Sequence, residues 1–349
     1  MNEVLLNNTE IDSEENFIPK NVGLNAEEDL LFRKSRKGSC GVDLPKIADF
    51  KLRISGKKRV EIGLPELTEP DVIGHFVNLS SENYSIDAGF YPLGSCTMKH
   101  NPRLNEKVAR FAGFANIHPL QDESTVQGAL ELMYELQNWL KIMTGLHSTC
   151  LAPAAGAHGE LAGILTIRAA LIAKGDARKI ILIPDSAHGT NPATATTCGY
   201  DIKIIASNKK TGEVDFDEFK KLVEEYGKDI AAIMLTNPNT CGKFESRVKD
   251  IADIIHEIGA YFYCDGANYN AIVGKIKPAD IGVDVMHFNL HKTFSTPHGG
   301  GGPGCGPIAV SKELTDFTPS PIVVKEGNTY KISAPKSTVG KIKGFHGQF

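Results

Sequence analysis

The chain has 349 residues, of which 41% are hydrophobic, and this is enough to bury a full core. Its 38 basic and 42 acidic residues are interspersed and give a formal net charge of −4, which argues against nucleic acid as a partner. No apolar stretch approaches the length of a membrane span, and the acidic, polar start is unlike a signal peptide. These features predict a globular, cytoplasmic protein.

The seven cysteines argue against a disulfide framework and against a zinc knuckle. They are odd in number, scattered, and include no CxxC pair. We interpret most of them as small buried side chains, with oxidation of Cys96 near a reactive site as the alternative for that residue.

Residues 1–92 are predicted to form an N-terminal arm that lies on another surface. This part has little periodic apolar content, several prolines and basic clusters at Arg33–Lys37 and Lys57–Arg59.

Two helices are predicted next. Apolar residues recur every three or four positions from Val126 to Met143, which indicates a core-facing helix that ends at Gly145. A second helical pattern follows in HGELAGILTIRAALIAKG, and the preceding PAAGA supplies a small-residue turn with exposed amides at the helix start.

Strands and helices then alternate, which predicts an α/β fold with a mostly parallel sheet covered by helices on both faces. We assign residues 93–315 to this large domain and residues 316–349 to the start of a further C-terminal region. The predicted strands are KIILIP, IKIIAS, AAIMLTN, AYFYCD and DVMHFN.

Polar side chains follow the predicted strands, at the sheet edge where ligands of such folds collect. His188, Asn237, Asp265 and Lys292 each come just after an apolar run. We therefore expect these four residues to converge on one rim.

A single lysine beside glycines and small hydroxyl residues is either a solvated cation or an amine that forms a Schiff base with a cofactor aldehyde. Pyridoxal 5′-phosphate matches the second reading, because its aldehyde suits Lys292 and its phosphate suits backbone amides at a helix start. The candidate amides are those of Ala155, Gly156 and Ala157.

The remaining candidates match the ring of that cofactor. Asp265 is a carboxylate that would keep the pyridine nitrogen protonated, with a helix N-cap or turn role as the alternative. His188 would stack on the ring, Ala267 would press on its other face, and Asn237 or Thr236 would reach its phenolic oxygen. Each of these four has a structural turn role as its alternative.

Two other interpretations of the lysine segment fail. No GK[ST] follows the glycines, so they are not a phosphate-binding P-loop. His287 and His291 stand four residues apart, but they lie at a strand end, so no metal site is predicted.

Seven long motifs resemble one family, the glycine decarboxylases (P-proteins) of the glycine cleavage system, and specifically subunit 2 of the two-subunit form. They occur in order from about residue 60 onward. The motifs are YPLGSCTMKHNP from Tyr91, HPLQDESTVQGALEL from His118, APAAGAHGELAG from Ala152, PDSAHGTNPATA from Pro184, TNPNTCGKFE from Thr236, YCDGANYNAI from Tyr263 and HFNLHKTFSTPHGGGGPGCGP from His287.

The resemblance implies the aspartate aminotransferase-like fold (fold type I) and three catalytic residues. Lys292 would bind pyridoxal phosphate covalently, Asp265 would pair with the pyridinium and His188 would stack on it. The implied reaction decarboxylates glycine and transfers the aminomethyl group to the lipoyl arm of H-protein. A first subunit without the lysine is an implied partner, in an assembly with two copies of each subunit.

The substrate carboxylate needs hydrogen-bond donors near the lysine. Ser95 and Asn101, in the YPLGSCTMKHNP motif, and His298, just past the lysine, are the candidates, with a cap or loop role as the alternative for each.

The family continues past GKIKGFHGQF into a smaller C-terminal domain, so we expect a C-terminally truncated chain. Two alternatives to the main hypothesis stay open. One is an inactive or structural fragment of this subunit, and the other is a different pyridoxal-phosphate lyase or decarboxylase on the same scaffold.

Overall fold

The computed structural model describes residues 28–43, 45, 62–87, 89, 92–93, 96–297 and 304–344; residues 92–93 and 96–97 are described as backbone only. The chain divides into two compact units, Met1–Gly89 and Phe90–Phe349. The three-part division predicted from the sequence, at residues 92 and 315, stays a prediction.

The first unit contains a helix that the apolar pattern did not indicate. Helices α1 (Leu31–Lys34) and α2 (Glu69–Ser81) are its described elements. Helix α2 begins with a capping box, in which the backbone N–H groups of Thr68 and Asp71 are each bonded by the other residue's side chain. Its start is therefore specified by capping chemistry rather than by a hydrophobic stripe.

The second unit contains the other helices and all the described strands. The helices are α3 (Arg103–Ala109), α4 (Ala112–Ala115), α5 (Gln127–Thr144), α6 (Gly156–Ala173), α7 (Thr190–Thr197), α8 (Phe216–Tyr226), α9 (Val248–Glu257) and α10 (Leu290–Thr293). The strands are β1 (Pro92–Leu93), β2 (Cys96–Thr97), β3 (Ser148–Cys150), β4 (Ile180–Pro184), β5 (Asp201–Ile205), β6 (Ile230–Thr236), β7 (Tyr261–Gly266), β8 (Val285–Phe288), β9 (Ile308–Val310), β10 (Ile322–Glu326) and β11 (Thr329–Ser333).

The predicted sheet is confirmed as a seven-stranded, mostly parallel one in the order β3-β9-β8-β7-β6-β4-β5. Strand β9 is antiparallel to both of its neighbours, and every other pairing is parallel. All residues of β4, β6, β7 and β8 are buried, which explains their continuous apolar runs. The edge strand β5 is mostly accessible.

Helices cover both faces of the sheet and build a separate core on each. Helices α5, α8 and α9 contribute to one core, and α6 and α7 contribute to the other. Helix α5 ends at Gly145, whose φ of 73° is the left-handed conformation that favours glycine at a helix end. No helix among the described residues is long and apolar enough to cross a lipid bilayer.

The hairpin β10–β11 packs on α5 through two glutamines. The Gln137 amide donates to the Val323 carbonyl (2.8 Å) and accepts from its N–H (3.0 Å). Gln127 makes the same pair of bonds with Tyr330, each 2.8 Å long. Polar residues of α5 thus satisfy backbone groups of the hairpin.

Cysteine burial varies, with Cys305 intermediate and the side chain of Cys96 not described, so the expectation that most are buried stays a prediction. Cys150, Cys198 and Cys264 are buried free thiols, whereas Cys40 and Cys241 are exposed.

Helix α6 approaches the sheet closely because its contact face carries glycines. A Cβ atom on Gly159 would lie 2.5 Å from the Gly306 carbonyl oxygen and 2.9 Å from the His287 Cβ. On Gly163 it would lie 2.5 Å from the Tyr263 ring. The glycines thus set the distance between α6 and the strands that carry the site.

Gly159→Ala is expected to destabilise the protein by about 1–3 kcal/mol, because the obstructing atom is a backbone oxygen and α6 must shift. Thermal unfolding of the purified variant measures the loss. Gly128→Ala in α5 is the matched control, since no atom lies within 4 Å of the added Cβ there and alanine favours a helix by about 1 kcal/mol. Equal stability of Gly159→Ala and the wild type would contradict this prediction.

Candidate active site

A cavity of about 640 Å³ lies at the carboxyl ends of β6, β7 and β8, beside the start of α6. This is the sheet edge at which the polar residues were predicted to converge. The predicted residues that line the cavity are Gly156, Ala157, His188, Thr236, Asp265, Ala267 and Lys292.

Three other predicted residues do not line it. Ala155 is the N-cap of α6. The Asn237 Oδ1 accepts the backbone N–H of Glu245 (3.0 Å), and the Asn101 amide donates to the Glu106 carboxylate (2.7 Å). Ser95 and His298 lie outside the described residues.

Asp265, the second-last residue of β7, is a buried carboxylate with three polar neighbours. Its Oδ1 accepts the Ala267 N–H (2.9 Å) and lies 3.4 Å from the His287 Nε2, and its Oδ2 accepts from the Asn191 amide (3.0 Å). Burial alone would raise the pKa of Asp265. The charge of His287, the two hydrogen bonds and the charge of Lys292 outweigh burial, so the pKa of Asp265 is below its ordinary value of 3.8. Asp265 is therefore ionised at neutral pH.

Lys292 lies on the short helix α10, directly after β8, and is half-buried. It lines the same cavity as Asp265, and its charge is near enough to lower the pKa of that carboxyl group. The Lys99 ammonium donates to the Lys292 backbone carbonyl (2.8 Å) and so fixes the turn that carries the amine. The geometry thus places an amine and a buried anion in one cavity.

A second buried carboxylate, which the sequence did not predict, lines the cavity. Glu160 lies one turn into α6, is 3% exposed, and accepts from the hydroxyls of Thr190 (2.6 Å) and Thr194 (3.3 Å). Burial raises the pKa of Glu160 above its ordinary value, against the opposing charge of His287. The Thr190 hydroxyl also lies 2.8 Å from the His188 Nδ1, so this threonine links His188 to Glu160.

The other site residues that were not predicted are His287, Asn191 and Asn289; His287 and Asn289 line the cavity, and the Asn191 amide donates to Asp265. In the parallel pairing of β7 and β8, Asp265 and His287 are register partners, so their side chains project to the same side. Asn191 lies in the first turn of α7, three residues after His188.

The comparisons with known proteins agree with this architecture. A profile of the glycine cleavage system P-protein family matches residues 45–329. A Caulobacter vibrioides protein named "Probable glycine dehydrogenase (decarboxylating) subunit 2" is 53% identical over 93% of this chain and 63% of its own length. A Thermotoga petrophila protein of the same name is 51% identical over 91% of this chain and 67% of its own length. The chain thus spans about two thirds of the length of these relatives.

Two solved structures share the fold at low sequence identity. A glycine decarboxylase (P-protein) of the glycine cleavage system, in inhibitor-bound form, is 21% identical with a TM-score of 0.63, over 77% of this chain and 60% of that one. The sphingosine-1-phosphate lyase of Burkholderia pseudomallei K96243 is 16% identical with a TM-score of 0.52, over 82% of this chain and 67% of that one. The shared architecture is the predicted aspartate aminotransferase-like fold (fold type I). On the family profile and the curated relatives, the chain belongs to the glycine cleavage system P-protein family.

Proposed function

We propose that this chain is the pyridoxal-phosphate-binding part of a cytoplasmic glycine decarboxylase, subunit 2 of a two-subunit enzyme. Glycine is the substrate, and the lipoyl arm of H-protein receives the aminomethyl group. The names of the curated relatives support a partner subunit 1, and we propose two copies of each subunit in the assembly.

The residues present fit pyridoxal phosphate. The Thr236 Oγ1 is buried, lines the cavity and has no hydrogen-bond partner within the described part of the chain, so it offers a polar contact to a ligand. Helix α6 starts at Gly156 without a side-chain cap, which leaves first-turn amides for a phosphate. The amine of Lys292 suits the aldehyde of the cofactor, and the carboxylate of Asp265 suits its protonated ring nitrogen.

When bound, the cofactor supplies an aldehyde for an amine and an electron sink for the pair released by decarboxylation. The residues of the chain would orient the cofactor and set the charge around it. Asp265 stays anionic, because its buried hydrogen bonds and neighbouring positive charges outweigh the cost of burial. It therefore stabilises a positive charge on a ring nitrogen placed beside it.

Lys292 and His188 line the same cavity as Asp265. Lys292 would hold the cofactor through its amine, and the same amine could carry a proton during the reaction. His188 is exposed at the cavity wall, and its Nδ1 is held by Thr190, which orients the flat imidazole. The Ala267 side chain lines the cavity as a small apolar group.

The overall reaction balances with the lipoyl disulfide as oxidant. The bond between the α-carbon and the carboxylate of glycine breaks, and carbon dioxide leaves. The electron pair left on the α-carbon forms a carbon–sulfur bond with one lipoyl sulfur. The sulfur–sulfur bond breaks at the same time, and the second sulfur takes up a proton as a thiol.

One observation carries this proposal: the amine of Lys292 and the buried, ionised carboxylate of Asp265 line one cavity. The first test is exchange of labelled bicarbonate into the carboxyl group of glycine. Purified protein, supplied with pyridoxal phosphate, subunit 1 and lipoylated H-protein, is expected to catalyse this exchange.

Two controls make the exchange experiment decisive. Omitting the chain while keeping subunit 1 and H-protein measures the background. Absorbance of the chain alone with pyridoxal phosphate, before and after borohydride, measures cofactor binding separately from turnover. A folded, colourless chain without exchange would favour an inactive fragment, whereas a yellow chain without exchange would favour a different pyridoxal-phosphate reaction.

A further inference from the structure

Glu160 lines the cavity as a buried carboxyl group, yet the proposed reaction gives it no role. It is 3% exposed, and its Oε1 lies 2.6 Å from the Thr190 Oγ1. Its Oε2 lies 3.3 Å from the Thr194 Oγ1. Both threonines belong to α7, so the carboxyl group is fixed between α6 and α7.

The Thr190 hydroxyl connects Glu160 to His188 at the cavity wall. The Thr190 Oγ1 lies 2.8 Å from the His188 Nδ1, and the Thr190 backbone N–H donates to the same nitrogen (3.2 Å). The contacts therefore run from the Thr190 nitrogen to the His188 Nδ1, then to the Thr190 Oγ1 and the Glu160 Oε1. Each of these contacts needs one proton to be a hydrogen bond.

The number of protons available to these contacts determines the state of Glu160. The backbone N–H supplies one proton, and the threonine hydroxyl supplies a second. An ionised Glu160 would accept the hydroxyl proton, which would leave the His188 Nδ1 and the Thr190 Oγ1 2.8 Å apart with no proton between them. A proton on the Nδ1 would fill that contact, but it would then meet the Thr190 N–H, which is directed at the same nitrogen.

A proton on Glu160 satisfies all of these contacts together. The carboxylic acid donates from its Oε1 to the Thr190 Oγ1, and the hydroxyl then donates to the His188 Nδ1. The Oε2 of the acid remains an acceptor for the Thr194 hydroxyl. The neutral acid is therefore the state that fits the observed distances.

The surroundings of Glu160 act in the same direction. The titratable groups that act on it are His287 of β8 and Asp265 and Tyr263 of β7; Lys292 and His188 line the same cavity, and α7 contributes only neutral side chains. Burial is the largest influence and raises the pKa of Glu160, and the charge of Asp265 also raises it, against the charge of His287 and the hydrogen bonds of Thr190 and Asn191. The two buried carboxyl groups of the cavity thus have pKa values shifted in opposite directions.

We propose that Glu160 is a positioning residue: as the neutral acid, it directs the Thr190 hydroxyl proton to the His188 Nδ1 and so holds the neutral imidazole in its Nε2–H form. The N–H and the hydroxyl of Thr190 then fix the plane of the imidazole at the cavity wall. The inference rests on the proposed function for what the imidazole faces, the ring of the cofactor.

Infrared spectroscopy measures the proton on Glu160 without any cofactor. A protonated carboxyl group has a C=O stretching band that is separate from the bands of carboxylates. We expect the difference spectrum between the wild type and Glu160→Gln at neutral pH to show one such band, present in the wild type alone. Its absence would overturn the proposal.

A divalent cation is the alternative occupant beside this carboxyl group, since ligand atoms of Glu160, Asp265 and His287 lie within 4.8 Å of one another. A bound cation would displace the proton. We expect equimolar Zn²⁺ to leave the infrared band unchanged, and loss of the band would overturn the proposal.

Nitrogen NMR measures the form of His188. In the chain with ¹⁵N-labelled histidine, assigned by comparison with His188→Gln, we expect the neutral ring to carry its proton on the Nε2. Glu160→Gln should give the same result, because its amide can donate to Thr190 and accept from Thr194 as the acid does. A neutral ring with its proton on the Nδ1 would overturn the proposal.

Paired variants test the consequence for the site. Thr190→Val removes the hydroxyl and keeps the shape of the side chain, whereas Thr190→Ser keeps the hydroxyl. We expect the Kd for pyridoxal phosphate to rise about tenfold in Thr190→Val and in Glu160→Leu, the effect of losing about one hydrogen bond. Thr190→Ser and Glu160→Gln should stay within about threefold of the wild type, because each keeps the donors and acceptors that the contacts need.

Equal weakening in Glu160→Gln and Glu160→Leu would show that an anion is required and would overturn the proposal. Circular dichroism establishes that each variant is folded, and the infrared and NMR measurements decide the question if Glu160→Leu or Thr190→Val does not fold. A wild-type chain that binds no pyridoxal phosphate would refute the proposed function, while the infrared band would still decide whether Glu160 carries the proton.

Discussion

Lys292→Ala is expected to abolish covalent binding of pyridoxal phosphate and to lower bicarbonate exchange at least about 10³-fold. Lys292 is the one lysine among the described residues that line the cavity, so no second amine there can replace it. The measurement is borohydride reduction followed by peptide mass analysis. In the wild type, a pyridoxyl group should be found on the peptide that contains Lys292, and the variant should carry none.

Two matched variants separate the amine from the charge. Lys292→Arg keeps a positive charge beside Asp265 but cannot form a carbon–nitrogen double bond, so we expect the same loss as in the alanine variant. Lys331→Ala, in the exposed hairpin strand β11, should retain full binding. A pyridoxyl group on Lys99, whose ammonium contacts the Lys292 carbonyl, would contradict the assignment of the amine.

The strands and the residues that follow them were predictable because buried parallel strands give a recognisable pattern in the sequence. A strand buried on both faces must be apolar throughout, and its carboxyl end is the next place where polar residues are tolerated. This reasoning found β4, β6, β7 and β8, and with them His188, Asp265 and Lys292. The antiparallel β9 was not recognisable, because three residues after a glycine-rich segment carry no signal of direction.

Side-chain direction in turns was the part of the site that the sequence did not determine. Asn237 follows β6, as expected for a rim residue, but it does not line the cavity: its Oδ1 accepts the backbone N–H of Glu245, and its Nδ2 is buried with no partner among the described residues. The local sequence around Asn237 is compatible with a side chain that points into the cavity and with one that points away from it. The choice depends on a loop that returns from eight residues further along the chain.

Glu160 was missed for a different reason. A glutamate in a helical pattern is usually assigned to the solvated face. Helix α6 is buried against the sheet, so this carboxylate depends on the Thr190 and Thr194 hydroxyls of α7. The burial of Glu160 therefore depends on a contact between α6 and α7. The periodicity of α6 alone does not reveal this contact.

Asp265→Asn is expected to lower bicarbonate exchange by about 10²–10³-fold, because the amide keeps the size of the side chain but removes the buried negative charge from the cavity that we propose holds the cofactor. The pKa of the folded Asp265 carboxyl group is below its ordinary value, so the anion is present at neutral pH and is lost only as the pH falls through that lowered value. Exchange measured near neutral pH therefore compares a fully charged residue with a neutral one.

The absorbance of bound pyridoxal phosphate gives a second readout for Asp265→Asn. With no anion beside it, the ring nitrogen should lose its proton at lower pH than in the wild type, so the spectrum should change in a pH range where the wild-type spectrum is constant. Asp185→Asn is the matched control, since Asp185 directly follows β4 of the same sheet but is exposed and accepts the backbone N–H of Ser207 (3.1 Å). Exchange within about threefold of the wild type in Asp265→Asn would place the essential anion elsewhere, and Glu160 would then be the carboxylate to replace, because it lines the same cavity.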